Sequence, residues 1–421
     1  MHPALVELQE RGLINQSTDI EVLSKLLTEG SAIYCGFDPT ADSLHIGSLL
    51  PLTVMKLLKR HGVKVIALIG GATGSIGDPS FKSEERNMMD WDTIERNCAG
   101  ITAVIKQILG DDVKIVNNYD WAKDISMLEF LRTYGKCFTV NSMINKESVR
   151  SRIERPDQGI SFTEFSYPIL QGMDFEWLYE GHNCNIQIGG SDQWGNMIAG
   201  VDVIHKLHGN EAECGVITLP LVTKADGTKF GKSESGTIWL SAQRTSPFHF
   251  FQFWRNVDDA EVPKLYQYFK PLGFTVDQIT REMAVNPNIV KLQFAIAMTA
   301  AIHGDEQAKL ARDISEFLFG KTIELTEEAV QMMIQSGFEV QDSTDSLELV
   351  SLLVDTGLAT SRKMAREFII NGAVKINGRK ANEFYDTKEL VFTEDVDIID
   401  AKHFIVQRGR GTYVIVENRR R

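Results

Sequence analysis

The chain has 421 residues and 47.2 kDa; 43% of its residues are apolar and 24% charged. That composition excludes global disorder and collagen-like order, and the length exceeds what one core supports, so two or three domains are expected. The net charge of −13 argues at first against a nucleic-acid partner, but residues 346–421 hold 13 Lys+Arg against 11 Asp+Glu, leaving 31 against 46 in the first 345.

The start, MHPALVELQERGLINQ, is amphipathic and lacks the basic and then apolar regions of a secretory signal. Residues 1–30 read as helix. SAIYCGFDPT is an apolar run closed by a Gly/Asp/Pro turn, the pattern of a strand. SLHIGSLLPLTVMKLLKRHG follows, with Leu49, Val54, Leu57 and Leu58 at helical spacing and a glycine stop. VKVIALIGGATG is a second continuous apolar strand. Strand, helix, strand in this order is a βαβ unit and predicts a buried parallel sheet. VKIVNNYDW is a further strand candidate, and residues 120–160 read as mostly helical. ISFTEFSYPILQGMDFEWLYE reads as helix, NIQIGGSDQWGN as strand and glycine turn, and GVITLPLV as the last strand of this domain. Ligands of such sheets bind outside the carboxyl ends of the strands, so chemistry is expected at the strand-to-loop junctions.

After Gly236 the composition changes, and helix formers dominate residues 244–320. Residues 321–346 are acidic and end in a polar stretch, the pattern of a linker. The remainder mixes two short helices with strands VKING and FIVQRG. Within it, positions 361–380 carry six basic residues against one acid, and the chain ends in Arg419, Arg420 and Arg421. A small basic module thus follows an acidic body. There is no internal repeat, no low-complexity segment and no apolar run long enough for a transmembrane helix. Cys35, Cys98, Cys137, Cys184 and Cys214 lie far apart with no CxxC pair. They argue against a disulfide framework and a structural zinc site, and for a reducing cytoplasm.

Four motifs carry chemistry. DPTADSLHIG, residues 38–47, lies after a strand and at a helix start, where free amide N–H groups and the helix dipole make an anion site. Thr40 and His45 can add donors there; a capped surface helix with an incidental histidine is the plain alternative. GGATGSIGDPSFKSEER, residues 70–86, has glycines that allow close backbone approach. Its spacing is not GxGxxG, and a tight turn is its simplest reading. Lys82 and Arg86 would face phosphates or water. Tyr167, Gln171 and Asp174 share one helix face among apolar neighbours, which favours a pocket wall over a solvent-facing stripe. KADGTKFGKSESG, residues 224–236, is a basic, glycine-containing loop that fails the P-loop spacing. It is either a solvated loop or a mobile one that closes over polyphosphate.

In this order the four motifs closely resemble those of the bacterial-type tyrosyl-tRNA synthetases, class I aminoacyl-tRNA synthetases. YCGFDPTADSLHIG is similar to that family's first signature, GGATGSIGDPS and IGGSDQWGN to its active-site turns, and KFGKS to its "KMSKS" loop. The similarity runs nearly end to end. It implies an α/β, Rossmann-like parallel-sheet catalytic domain at 1–223, with dimer-interface helices at about 120–160. A mobile KFGKS loop at 224–236, a helical anticodon-arm-binding domain at 237–325 and a linker at 326–346 would follow. A small α+β RNA-binding domain of the ribosomal protein S-four type would occupy 347–421.

The resemblance also implies residue roles. Tyr34 and Asp174 would contact the phenolic hydroxyl of tyrosine. Tyr167, Gln171 and Asp78 would hold its ammonium group, with Gln187 and Gln193 lining the pocket. Gly36, Asp38, Gly47, Ser48, Gly190 and Asp192 would face ATP or the adenylate. Thr40 and His45 would bind the pyrophosphate end in the transition state. Lys82, Arg86, Lys229 and Lys232 would reach it from loops, with Ser233 completing the signature. Ser48 is a departure, because the family usually has His or Asn there; modestly weaker nucleotide binding is expected. Arg362, Lys363, Arg366, Lys375, Arg379 and Lys380 would contact RNA phosphates. The implied partners are L-tyrosine, ATP with Mg²⁺, tRNA(Tyr) and a second copy of the chain, with no structural metal and no membrane. The reaction would run through tyrosyl-adenylate without a covalent enzyme intermediate, and Cys35 would serve packing. Three other readings stand beside this one. A tryptophanyl-tRNA synthetase shares the fold but fits Tyr34 with Asp174 and the basic tail less well. A nucleotidyltransferase is usually much shorter and lacks an RNA-binding tail. A catalytically weakened, synthetase-like RNA-binding protein is favoured only by Ser48.

Overall fold

The computed structural model describes the chain except residues 79–87, 147–148, 151–152, 154–158, 224–229, 234–235, 322–323, 343–347, 390, 393–401, 410 and 418–421, and it describes the backbone but not the side chains of Lys232, Ser233, Val391 and Phe392. Lys82, Arg86 and Lys229 lie outside the described residues. The chain forms two compact units. One comprises residues 1–241 and 260–280, the other residues 242–259 and 281–421.

The first unit is built on a six-stranded sheet: β1 (Gln16–Ser17), β2 (Ala32–Phe37), β3 (Val65–Ile69), β4 (Lys114–Asn117), β5 (Cys184–Gly190) and β6 (Gly215–Leu219). The spatial order is β1-β6-β5-β2-β3-β4. All neighbours are parallel except the edge pair β1–β6. Every residue of β3 and of β6 is buried, as expected where helices cover both faces of a parallel sheet. Residues 1–30, expected as one helix, form two, Pro3–Glu10 and Ile20–Thr28. Gly12, at a positive φ of 62°, breaks the first, and β1 occupies the gap by pairing with β6.

The connectivity places the site. From β2 the chain builds outward to β3 and β4, then returns to the other side of β2 to lay down β5 and β6. The carboxyl ends of β2 and β5 therefore flank the switch point, where a crevice opens in doubly wound sheets. Tyr34 on β2 stands opposite Gln187 on β5. The helix Phe162–His182 packs on the face carrying Ala32, Tyr34, Ile66 and Leu68, through Phe175 and Leu178. It opens on a Ser161 cap and closes on Asn183 in the left-handed region, φ 48°.

In the second unit, the helices Pro247–Arg255, Pro287–His303, Asp305–Leu318 and Glu327–Gln335 pack around aromatic residues. The fully buried Trp254 meets Phe250 and Phe294 edge-on. The basic tail forms a sheet in the order β11-β10-β14-β15-β9. Its strands are β9 (Val340–Asp342), β10 (Val374–Ile376), β11 (Arg379–Lys380), β14 (His403–Arg408) and β15 (Thr412–Glu417), with a separate pair, β12 (Tyr385–Asp386) and β13 (Val391–Phe392). The helices Leu349–Asp355 and Arg362–Ile370 share a core with it. The stretch expected as a linker, 326–346, instead holds the helix Glu327–Gln335 and strand β9, which pairs in parallel with β15. Its polar composition reflects edge position. His403 of β14 bonds Glu327 at 2.7 Å and the Tyr413 hydroxyl donates to the Leu318 carbonyl at 2.6 Å.

The N-terminal helix is fastened by charge. Glu7 accepts from Arg60 at 2.7 and 2.8 Å, lies 2.6 Å from His61 Nε2 and also pairs with Arg11. Burial raises the Glu7 pKa, but the bonds from His61 and Arg60 outweigh it and bring it down to about 2. Its stabilisation is therefore full above the ordinary value near 4.5 and is lost as pH falls toward 2. Glu7→Gln is expected to lower unfolding free energy at pH 7 by roughly 2 kcal/mol, and to flatten its fall below pH 4.5, in urea titrations.

Candidate active site

A hydrogen-bonded network ties together the segments at the carboxyl ends of β2, β3, β4 and β5. At its centre Asp174 is 3% exposed. Its Oδ2 accepts from the Asn118 amide and its Oδ1 from the Trp121 indole N–H, both at 2.9 Å. Burial drives the carboxyl pKa up to about 7 against these two bonds, and the nearby Asp38 adds to the rise. Asn118 also donates to Thr73 Oγ1 at 3.0 Å and accepts from the Ala72 amide at 2.7 Å. The Thr73 hydroxyl donates to Asp38 Oδ1 at 2.7 Å, while the Tyr167 hydroxyl donates to Asp38 Oδ2 at 2.8 Å. Further along, the Gln193 amide donates to Asp78 at 2.8 Å. Burial pushes the Tyr167 phenol well above its ordinary pKa, and Asp38, Asp78 and Asp174 reinforce the shift. Three carboxylates around one phenol make an electronegative pocket.

Among the buried polar atoms of the described residues that lack hydrogen-bond partners are Tyr34 Oη, Gln171 Oε1 and Gln187 Oε1. Tyr34 is 2% and Gln187 4% exposed. An unpaired buried polar group costs about 1–3 kcal/mol, a cost that a polar ligand would remove. Desolvation also lifts the Tyr34 phenol well above its ordinary value, with Asp174 the next cause, so it is a neutral donor.

Small residues make room for the carboxylates. A Cβ on Gly70 would collide with Asp38 Oδ1 and Thr73 Oγ1, and one on Gly190 with Asp192 Oδ1. GGATGSIG, read as a turn, contains a short helix, Gly71–Ile76, whose Gly74 packs on Pro39.

Residues 38–48, which the resemblance places beside the phosphates, form a rim after β2. Thr40 is exposed, and its amide donates to the Asp38 carbonyl at 2.8 Å. His45 Nδ1 accepts from the Gly47 amide at 2.9 Å. That bond places the ring proton on Nε2. Gly47 is required, since a Cβ there would lie 2.6 Å from His45 Cε1. Ser48 precedes the helix Leu49–Arg60 and does not cap it, so its hydroxyl is not used in the cap. Gly36 is exposed at the end of β2. Lys232 and Ser233 form strand β7, which pairs with β8 (Gly236–Thr237). Gly231, at φ 90°, packs against Ile46 with no space for a Cβ, which seats the start of β7 beside the rim.

Other features need no such role. Burial pushes the Cys35 thiol up to about 12, so it is inert as a nucleophile. Glu176, Glu180 and His208 bring ligand atoms within 4.8 Å of one another. Glu176 is already bonded by Tyr134 at 2.9 Å and His208 at 2.7 Å.

Sequence reasoning missed Thr73, Asn118 and Trp121. The signal was present: NNYDW places polar and indole donors just past the carboxyl end of a strand. In the second unit, Arg362, Lys363, Arg366, Arg379 and Lys380 are exposed and Lys375 is half-buried. Arg362 is paired with Glu348 at 2.6 and 2.8 Å, and Arg379 lies 5.2 Å over the Phe384 ring. Lys375 and Lys380 stand directly opposite each other across the β10–β11 hairpin, whose turn, Asn377-Gly378, has positive φ at both residues. Like charges so placed repel, an arrangement that a polyanion relieves.

Fold and crevice together define a class I synthetase architecture. The family model for class I tRNA synthetases (W and Y) matches residues 27–320, and that for a tyrosine–tRNA ligase SYY-like C-terminal domain matches 329–416. The chain belongs to this family of class I tRNA synthetases. It is 43% identical to tyrosine–tRNA ligase 1 of Vibrio vulnificus (strain CMCP6), covering 98% of this chain and 97% of that one. It is 44% identical to the tyrosine–tRNA ligase of Listeria welshimeri, covering 97% and 98%. Among solved structures, a C-terminally truncated mitochondrial tyrosyl-tRNA synthetase of Aspergillus nidulans superposes with TM-score 0.65 at 28% identity, over 75% of this chain and 94% of that one.

The Asp174 shift carries a sign. A carboxyl whose folded-state pKa is raised binds its proton more tightly folded than unfolded, so stability falls as pH climbs from about 4 to about 7. Asp174→Asn removes that dependence. Relative to the variant, the parent is expected to lose roughly 3 kcal/mol of unfolding free energy across this window, measured by urea titration at pH 4.5 and pH 8.

Proposed function

We propose that this chain is a tyrosine–tRNA ligase, an enzyme that activates L-tyrosine with ATP to tyrosyl-adenylate and pyrophosphate and then esterifies the 3′ end of tRNA(Tyr). The observation that carries the choice of amino acid is the pocket of unpartnered buried atoms around Asp174. Tyr34 and Asp174 offer a donor and an acceptor to a phenolic hydroxyl. Gln171 and the carboxylates near Tyr167 offer acceptors to an ammonium group, with Gln187 and Gln193 lining the wall. A site built this way rejects phenylalanine because its buried polar groups then stay unpaired; tyrosyl-tRNA synthetases are the standard illustration of this asymmetry.

In the first step a carboxylate oxygen of tyrosine attacks the α-phosphorus of ATP in line. The new O–P bond forms as the bond to pyrophosphate breaks, and the leaving group takes the electron pair. His45 Nε2–H and Thr40 stabilise charge on the leaving phosphates, joined by Lys82, Arg86, Lys229, Lys232 and Ser233 of the loop segments. Gly36, Asp38, Gly47, Ser48, Gly190 and Asp192 hold the nucleotide. In the second step a terminal ribose hydroxyl attacks the adenylate carbonyl and releases AMP. Positioning and charge stabilisation supply the catalysis. The Mg²⁺ that accompanies ATP would be held mostly by phosphate oxygens and water and would neutralise phosphate charge.

Arg362, Lys363, Arg366, Lys375, Arg379 and Lys380 form the RNA-facing surface. The enzyme works as a cytoplasmic homodimer; exposed Met127, Leu128, Leu131 and Val140 on the helices Met127–Thr133 and Val140–Ile144 support that assembly. Among the described residues no helix is long and apolar enough to cross a membrane.

Aminoacylation assays test the reading. Charging of tRNA(Tyr) with tyrosine is expected, and none with phenylalanine or tryptophan. Tyr34→Phe is expected to lower kcat/KM for tyrosine roughly 3- to 10-fold, the value of one neutral hydrogen bond, and to narrow the discrimination against phenylalanine, because one unpaired buried group is removed. Lys375→Gln and Lys380→Gln are expected to weaken tRNA binding and to reduce its salt slope by about 1 each. Pyrophosphate exchange should be unaffected by either change.

A further inference from the structure

We infer that Trp177 is a positioning residue for Trp121, stacking on its indole so that the N–H stays on Asp174 Oδ1 and the carboxylate is held where a phenolic hydroxyl meets it. The inference rests on the function proposed above and deepens it, by giving tyrosine selection a residue outside the motifs.

Three observations converge. The Trp121 indole N–H donates to Asp174 Oδ1 at 2.9 Å, and the same indole lies flat on Trp177, with ring centroids 4.0 Å apart and planes at 12°. Asp174 and Trp177 are three residues apart on the helix Phe162–His182, so the acceptor and the stacking surface are neighbours on one element. Trp121 arrives from elsewhere, on the four-residue helix Tyr119–Ala122, which follows the edge strand β4 and has no buried residue. Both indoles also line a cavity of about 280 Å³, shared with Cys98 and Thr102.

An indole N–H lies in the plane of its ring. The stack on Trp177 sets that plane, and the bond to Asp174 sets the direction within it. Parallel aromatic pairs attract beyond the area they bury, so the stack resists rotation of the ring. The cavity gives a ring that has lost its stack room to turn away from the carboxylate. Trp177 is itself buttressed: its ring meets His182 with centroids 4.9 Å apart, and Lys114, at the start of β4, donates to His182 Nδ1 at 2.6 Å. One helix thus carries both Asp174 and the template that aims a donor at it. Trp177 acts on the phenol through Trp121 and Asp174.

A double-mutant cycle in the full-length enzyme tests this. It is read by the tyrosine dissociation constant from equilibrium dialysis and by tyrosine-dependent ATP–pyrophosphate exchange. Trp177→Leu is expected to raise the dissociation constant roughly 3- to 10-fold, the value of one hydrogen bond, with KM for ATP and kcat at saturating tyrosine unchanged. Trp177→Phe keeps a flat ring and is expected to stay within about 2-fold of the parent. Trp121→Phe keeps the stacked ring but removes the N–H; in that background Trp177→Leu should cost less than about 2-fold. Circular dichroism should show the exciton couplet of two stacked indoles in the parent and lose it in Trp177→Leu. An equal loss of tyrosine affinity with and without the Trp121 N–H would overturn the inference, because Trp177 would then act by packing alone. An unchanged tyrosine dissociation constant in folded Trp177→Leu, or a parent without the couplet, would also overturn it. Should Trp177→Leu fail to fold, the same cycle run with Trp177→Met decides by the same criteria. Absence of tyrosine binding and exchange in the parent enzyme would instead refute the function itself, so the two failures are distinguishable.

Discussion

A carboxylate buried where water does not reach must be compensated, and the crevice is organised around that need. Asp174 is 3% exposed and is kept from the full cost of burial by two donors, Asn118 and Trp121. Asn118 in turn ties the end of β4 to Thr73 and Ala72 beyond β3, and Thr73 ties them to Asp38 at the end of β2. A single charge on the helix Phe162–His182 thereby fixes the geometry of three strand ends. The compensation is incomplete, since the carboxyl pKa still rises to about 7. In the function proposed here, the remaining acceptor capacity is what a phenolic hydroxyl satisfies, and the same incompleteness makes the pocket discriminate.

The catalytic sheet was legible in the sequence because its signals are strong and local. Continuous apolar runs such as VIALI can only be buried strands or buried helix, and flanking glycines and βαβ spacing settle which. The candidate pocket residues were legible for a different reason. Tyr167, Gln171 and Asp174 are polar groups at helical spacing in apolar company, and that pattern requires buried partners. The partners themselves, Asn118 and Trp121, sit more than 50 positions away in a stretch with no periodicity of its own. Only the sheet's topology brings them to Asp174.

Two misreadings have physical causes. The break in the N-terminal helix at Gly12 is stabilised by β1 pairing with β6, a contact about 200 residues distant that no local pattern announces. The acidic stretch at 326–346 reads as a linker because edge elements expose polar residues, yet β9 completes the tail sheet beside β15. Both errors treat a segment as isolated when a distant strand supplies its hydrogen bonds.

The claim at the centre of this account is that the unpaired polar atoms around Asp174 select a phenol. Tyrosine-dependent ATP–pyrophosphate exchange, run beside phenylalanine and tryptophan on the parent and on Asp174→Asn, measures it most directly. The account predicts exchange with tyrosine only, and a fall of roughly 10- to 100-fold in kcat/KM for tyrosine in the variant, the range for a hydrogen bond to a charged group. Exchange supported equally by phenylalanine, or an Asp174→Asn enzyme as active on tyrosine as its parent, would contradict it.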